Sequence, residues 1–243
     1  MEKFAGRVAL VTGSTSGIGF AIGMNLIKKG ATVIFHSNKS VEKGLDLKEA
    51  HENAVYCRAD LSVPSEVNAL AKFALDNFGG VDFLVNNASY SVPIKHDDFS
   101  GATVEHWHEM YQINVVSPFT LTTELLSNVA ERKLRSVVNI SSHAGVYPKG
   151  ASIPYAVAKS GLNHLTKLLA KTLGSAVRVN AVAPGFINTP LTQGWDEVKA
   201  NWLSQSALGR VGEANELADF AVRLMSEPNM TGQVLVYDGG FNL

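Results

Sequence analysis

The chain has 243 residues, 46% of them hydrophobic and 18% charged, so it can bury a sizeable core without disulfide or metal staples. Its 21 lysines and arginines nearly cancel its 22 acidic residues, which leaves no net field to favour a nucleic acid or an anionic membrane. The single cysteine, Cys57, excludes an internal disulfide and reads as an inert core thiol. No stretch approaches the ~18 apolar residues of a membrane span, and the first residues lack a cationic start followed by a long apolar run. A cytoplasmic protein with a small-molecule partner, and with no nucleic-acid or membrane partner, is expected.

Apolar runs of strand length alternate with segments of helical period. The first run, Val8 to Val11, leads into a glycine-rich turn containing Gly13, Ser14, Ser16, Gly17, Ile18 and Gly19. A helix opens there and ends at Lys28-Lys29-Gly30, with cations in its last turn and glycine just beyond. Strands follow at Thr32 to Phe35 and Val55 to Arg58, and Pro64 marks the next helix start. The runs Phe83 to Val85, Val137 to Ile140, Val179 to Val182 and Val234 to Tyr237 bring the strands to seven. This alternation predicts one α/β domain over residues 1–243, a Rossmann-type doubly wound parallel seven-stranded sheet with helices on both faces. Ligands are expected beyond the strand carboxyl ends, at the switch between the first and fourth strands. The stretch from Gly185 to Gly212 is long for an α/β connection and carries Trp195 and Trp202. It reads as a substrate-lid insert within the domain, with a permanently folded helical pair as the competing reading.

The glycine turn places unpaired backbone N–H groups and a helix dipole where a pyrophosphate can sit. Its spacing, G-x-x-x-G-x-G, differs from the commoner G-x-G-x-x-G. At the end of the second strand, an acidic residue would hold ribose hydroxyls and repel a 2′-phosphate. Here the residues are His36-Ser37-Asn38-Lys39. Ser37, Asn38 and Lys39 can all donate to a phosphate, so NADP(H) is favoured and NAD(H) remains possible.

Farther along, Tyr155 and Lys159 lie four residues apart on a predicted helix and share a face. An ammonium beside the phenol favours its ionised form. A phenol titrates near ~10, and lowering that by roughly 3 units corresponds to about 4 kcal/mol, enough to make tyrosine an acid or base at neutral pH. Ser142, thirteen positions before Tyr155, ends an apolar strand; its neighbour Ser141 points to the opposite face and is its rival. His106 and His108 are spaced i,i+2, which does not converge on a metal, and no metal is expected. His143 either lines a pocket or is a hydrogen-bonded loop histidine.

Taken together, these motifs resemble the short-chain dehydrogenase/reductase family across almost the whole chain. Its cofactor loop matches Thr12 to Gly19, its adenine-side motif matches Asp60-Leu61, and its Asn-Asn-Ala-Gly strand end matches Asn86-Asn87-Ala88, with Ser89 in place of the last glycine. Its catalytic tetrad falls on Asn114, Ser142, Tyr155 and Lys159, the thirteen-residue interval selecting Ser142 over Ser141. Pro184-Gly185-Phe186-Ile187-Asn188-Thr189 and Asp238-Gly239-Gly240 match as well. The resemblance implies that Asp60 meets the adenine amine, that Asn87 and Ala88 lie beside the ribose, and that Ile187 and Thr189 hold the nicotinamide carboxamide after Pro184 and Gly185. It also implies that Ser142 binds the substrate oxygen, Tyr155 exchanges its proton, Lys159 serves both Tyr155 and the nicotinamide ribose, and Asn114 holds a water that reprotonates Lys159. Ser16 stands where NADP-specific relatives often place a cation.

The expected activity is therefore reversible carbonyl–alcohol redox chemistry, foremost NADPH-dependent reduction of a ketone or 3-oxoacyl substrate. Sugar or polyol oxidation with NAD, and a non-catalytic dinucleotide sensor, are the competing readings. A carrier-protein-bound substrate would call for basic residues at the pocket mouth, for which Arg132, Lys133, Arg135 and Lys171 are candidates, and Val92, Tyr147, Phe186 and Trp202 are candidate apolar walls. The stripe Ala158, Leu162, Leu165, Leu169 reads as core, although the resemblance implies pairing of the same helix in a homotetramer or homodimer.

Overall fold

The structure, a computed structural model, describes residues 4–127 and 134–243. Seven parallel strands make the central sheet: β1 (Val8–Val11), β2 (Thr32–Ser37), β3 (Ala54–Arg58), β4 (Phe83–Asn86), β5 (Ser136–Ile140), β6 (Arg178–Pro184) and β9 (Val234–Tyr237). Their order is β3-β2-β1-β4-β5-β6-β9, the doubly wound arrangement, and a separate parallel pair joins β7 (Ile187–Asn188) to β8 (Gly212–Glu213). Because β1 pairs with β2 on one side and β4 on the other, the direction of winding reverses at β1, the switch beside whose carboxyl end such sheets bind their ligands.

Strand pleating divides the apolar residues between two cores. Ala9, Val11, Val33, Phe35 and Val85 face the layer of α1 (Gly17–Lys28) and α8 (Ala214–Ser226), packing on Ile22, Leu26, Leu217 and Met225. Val8, Leu10, Ile34, Leu84 and Val137 face the layer of α3 (Pro64–Phe78), α5 (Ser117–Ser127) and α6 (Ile153–Leu173), meeting Leu70, Leu121, Leu125 and Leu169. Each such side chain contributes roughly 1.5–3 kcal/mol when fully buried. Ala158, Leu162 and Leu169 of the predicted α6 stripe are buried. Three further helices, α2 (Val41–Ala50), α4 (Val104–Tyr111) and α7 (Asp196–Gln205), lie in the connections. Cys57 departs from expectation: it is partly exposed rather than core, and burial still pushes its thiol pKa up, away from the reactive thiolate.

At the amino ends of the strands, buried Asp82 accepts hydrogen bonds from Arg7 (3.0 Å), Arg135 (3.2 Å) and the amide of Val8 (3.0 Å). This pins the bottom of the sheet and leaves the carboxyl ends for chemistry. Among the described residues, no helix is long and apolar enough to cross a membrane.

Candidate active site

The glycine loop is held from three directions. Thr12 Oγ1 accepts the amides of Asn87 and Ala88, each at 3.0 Å, and Asn87 Nδ2 donates to the carbonyls of Thr12 and Gly13, each at 2.9 Å. With the Asn87 and Ala88 amides taken, contact between these two residues and a ribose falls to other groups, their carbonyls first. The third hold is one that sequence reasoning missed. His36 Nδ1 accepts the Gly13 amide at 3.0 Å while Nε2 donates to the Ala59 carbonyl at 3.0 Å, so one imidazole ties the loop to the end of β3. Burial drives its pKa from 6.5 to about 4, fixing the neutral tautomer these bonds need.

The packing of the loop itself requires its glycines. Gly13 has φ +61°, and a Cβ there would lie 2.8 Å from Ala88 Cα; a Cβ on Gly19 would lie 2.4 Å from the Gly13 carbonyl. The start of α1 has the chemistry of an anion site: its N-cap, Ser16, makes no side-chain capping bond and its first turn has no acid. Ser14 is turned inward, its Oγ donating to the Val11 carbonyl at 2.7 Å. Thr189 lies over this loop, with its Cβ and Cγ2 each 3.5 Å from a Cβ placed on Gly17.

On the adenosine side, Ser37 is buried with its Oγ 2.8 Å from the Tyr56 hydroxyl, while Lys39 is exposed. Asn38 is joined by a residue the sequence reading passed over: Arg58 donates to Asn38 Oδ1 at 2.9 Å and to its carbonyl at 3.3 Å, and pairs with Glu66 at 2.7 Å. The sheet order held the signal, because β3 lies beside β2 and brings the cation at its end next to Asn38. Asp60 Oδ1 accepts the amide and hydroxyl of Ser62 at 2.9 and 2.7 Å, and these bonds hold its carboxyl below the usual range, the side-chain bond foremost. The Leu61 side chain packs in the core, which leaves only its main chain free for a ligand.

The four tetrad positions converge at the carboxyl ends of β4 and β5. Ser141 Oγ donates to the Lys159 carbonyl at 3.3 Å and is buried, whereas Ser142 Oγ accepts the Ala144 amide at 3.1 Å. Asn114 sits in a π-turn, Gln112–Val116, and is fully buried. Its Nδ2 donates to the carbonyls of Tyr90 and Met110, each at 2.8 Å, and its Oδ1 accepts from Ser89 Oγ at 2.7 Å. That side chain is committed to the protein. Asn86 likewise serves the sheet, donating to Asn139 Oδ1 at 2.9 Å.

The expected ammonium–phenol effect is corrected by the geometry. Lys159 Nζ lies over the Tyr155 ring, 5.8 Å from its centroid, and donates to the Ile140 carbonyl at 2.9 Å. Burial lowers its pKa to about 7, and burial pushes the Tyr155 phenol up rather than down, with hydrogen bonds from Ser142 and Ser89 opposing the rise. Position 89 also settles the shape of its loop: no non-glycine residue among those described has positive φ, so serine replaces glycine there without backbone strain.

An aromatic cluster adjoins the turn after Ser142. Trp202 of α7 stacks on Phe241 with centroids 3.9 Å apart and planes within 8°, and His143 meets Tyr147, Trp202 and Phe241 at 5.0, 5.2 and 5.5 Å. Asn242 hydrogen-bonds both His143 and Asp238, so the chain end clamps the turn after Ser142. Trp202 also fills the space a Cβ on Gly185 would need, and the β7–β8 bridge draws the two ends of the insert together. Val92 is partly buried in the loop after β4. Two of the candidate mouth cations are misplaced: Arg135 is bound to Asp82 at the opposite end of the sheet, and Lys171 lies more than four turns beyond Tyr155 on α6, roughly 24 Å along the axis. Arg132 and Lys133 lie outside the described residues. The exposed cation beside the aromatic wall is Lys149, 4.4 Å over the Phe241 ring.

The chain is similar to known proteins over nearly its whole length. Residues 13–242 match the family described as Enoyl-(Acyl carrier protein) reductase. The chain is 42% identical to the "Granaticin polyketide synthase putative ketoacyl reductase 2" of Streptomyces violaceoruber, covering 97% of this chain and 96% of that one. It is 34% identical to the 3-oxoacyl-[acyl-carrier-protein] reductase of Vibrio cholerae, with 97% of each covered. Among solved structures it is similar to the Pseudomonas aeruginosa RhlG/NADP active-site complex, with a TM-score of 0.88 at 31% identity over 98% of this chain and 97% of that one. With the family matched over nearly its whole length, this chain belongs to the short-chain dehydrogenase/reductases, NAD(P)-dependent oxidoreductases that act on a C=O/CH–OH pair.

Proposed function

We propose that the chain is an NADPH-dependent reductase of ketones, foremost of 3-oxoacyl type, with Tyr155 as the proton donor. The observation that carries this reading is the convergence of Ser142, Tyr155 and Lys159 at the carboxyl end of β5, with Lys159 Nζ on the Ile140 carbonyl and over the Tyr155 ring, at the same end of the sheet as the glycine loop after β1. Ser142 accepts from the Ala144 amide, which leaves its own proton to bind the substrate carbonyl oxygen. Tyr155 gives its proton to that oxygen. Lys159, held near pH 7 by burial, exchanges a proton at neutral pH and returns one to the tyrosine side. A water on that route would meet the main chain of Asn114, because its side chain is committed to Tyr90, Met110 and Ser89. Bound NADPH supplies the hydride.

The glycine loop with Ile18 would hold the pyrophosphate, Asp60 and the Leu61 main chain the adenine, and Asn87 and Ala88 the ribose. Pro184, Gly185, Ile187 and Thr189 would flank the nicotinamide. Preference for NADP(H) is supported by the missing carboxylate after β2 and by Asn38, Lys39 and Arg58 gathered there. The 3-oxoacyl class is supported by the ketoacyl-reductase names of its relatives and by the apolar wall of Tyr147, Trp202 and Phe241. Assembly with a second copy of the chain is supported by Val157 and Leu168, exposed on one face of α6, and by Phe119 on α5.

Oxidation of NADPH and of NADH should be followed against a panel of 3-oxoacyl thioesters, simple ketones and sugars. The reading expects NADPH-dependent reduction of the 3-oxoacyl thioesters; turnover confined to sugars with NAD would overturn it.

A further inference from the structure

We infer that Asn163 is a positioning residue that docks the turn carrying Ser142 onto the helix carrying Tyr155 and Lys159. The inference deepens the proposed function and rests on Ser142 binding the substrate oxygen. Tyr155, Lys159 and Asn163 follow one another at intervals of four on α6, so they lie on one helical face. The segment from Ile140 to Gly145 is tied to this helix at three points. Lys159 Nζ donates to the Ile140 carbonyl at 2.9 Å, Ser141 Oγ donates to the Lys159 carbonyl at 3.3 Å, and Asn163 Nδ2 donates to the Gly145 carbonyl at 2.9 Å. Ser142 lies between the second and third ties. It is joined to the third through Gly145: the Gly145 amide donates to the Ser142 carbonyl at 2.9 Å, while the Gly145 carbonyl accepts from Asn163. Ser142 also caps the short 3₁₀ turn His143–Gly145, its Oγ accepting the Ala144 amide at 3.1 Å. Ser142 to Gly145 is thus one hydrogen-bonded unit, and the Asn163 amide sets where that unit rests on the helix.

Two further observations single out this tie. Gly145 lies so close to α6 that a Cβ on it would be 2.6 Å from the Lys159 carbonyl carbon and 2.9 Å from Asn163 Nδ2. No side chain could stand there without lifting the turn. Asn163 is buried, and its Oδ1 is sealed from solvent with no hydrogen-bond partner among the described residues. An unpaired buried acceptor destabilises a fold, so an apolar side chain of similar size would serve packing at least as well. What an apolar side chain cannot supply is the Nδ2 donor to Gly145. A separate bond, between Asn242 and His143, still holds the turn when Asn163 is replaced, so the loss shifts Ser142 rather than unravelling its loop.

The test uses the full chain with ethyl 3-oxobutanoate and NADPH. It compares the parent with Asn163→Leu, Gly145→Ala, Ser142→Ala and the two double variants that contain Ser142→Ala. Asn163→Leu exchanges one unpaired acceptor, its own Oδ1, for another, the Gly145 carbonyl, so its urea midpoint should stay near the parent's. Its kcat should fall roughly tenfold, short of the ~100-fold that a misplacement of about 1 Å can cost, while the Kd for NADPH stays within a few-fold. Gly145→Ala lifts the turn by contact rather than by loss of a bond and should lower kcat in the same way, so the test stands even where Asn163→Leu folds poorly. The deciding readout is the coupling to Ser142. In the Ser142→Ala background either substitution should lower kcat by less than about twofold, because the hydroxyl it positions is gone. An undiminished loss in that background, or a kcat equal to the parent's in Asn163→Leu, would overturn the inference while leaving Ser142 in its role. Near-normal turnover in Ser142→Ala would instead overturn the reading beneath it.

Discussion

Replacing His36 by glutamine should remove a specific acid sensitivity of the fold. In the folded chain the imidazole is neutral, accepting from Gly13 and donating to Ala59, and burial lowers its pKa to about 4. In the unfolded chain it titrates near its ordinary value of 6.5. Protons therefore bind the unfolded state first, so the stability linked to His36 is intact above pH 6.5 and is lost progressively as pH falls toward about 4. Between pH 7.5 and 5 that linkage amounts to about 2 kcal/mol, the free-energy equivalent of roughly 1.5 pKa units. Urea unfolding of parent and His36→Gln at both pH values measures it, and the contribution of His143, whose pKa burial also lowers, cancels in the difference. The parent should lose about 2 kcal/mol more than the variant over this interval. Equal losses in the two proteins would refute the neutral clamp.

Two further outcomes test the cofactor side and the insert. Ser37→Asp introduces a carboxylate at the end of β2 and should raise the KM for NADPH by roughly tenfold while favouring NADH; an unchanged ratio of the two KM values would reject the ribose position. Hydrogen exchange should show the amides between Thr189 and Trp202 gaining protection when NADP+ and substrate bind, whereas equal protection with and without them would make the segment a fixed helical connection.

The doubly wound order was readable because each strand is a short β-branched run fenced by glycine, proline or charge, and buried strands of this kind have few other folds to enter. The ends were less legible. β2 runs on through His36 and Ser37, because its backbone continues to pair with Cys57 and Arg58 beyond the apolar run. The β7–β8 bridge was invisible, since Ile187–Asn188 and Gly212–Glu213 carry no strand pattern and are joined only by closing the insert on itself. Tyr155 and Lys159 were legible by spacing, but their electrostatics were not: helical geometry places Lys159 over the ring, and burial, which no local pattern reports, then governs both groups. The stacking of Trp202 on Phe241 was not legible, because the two are 39 positions apart and their approach depends on the path of the last residues. Arg58 and His36 escaped notice for a related reason, since each acts across to a neighbouring strand.

The central claim is that Tyr155 donates the proton in a dinucleotide-dependent carbonyl reduction. Its most direct measurement compares parent and Tyr155→Phe for kcat on a 3-oxoacyl thioester and for NADPH affinity by fluorescence. The variant keeps the ring and loses only the hydroxyl, so kcat should fall by roughly two to four orders of magnitude while the Kd for NADPH stays within a few-fold. Near-normal turnover in Tyr155→Phe with NADPH still bound would contradict the account.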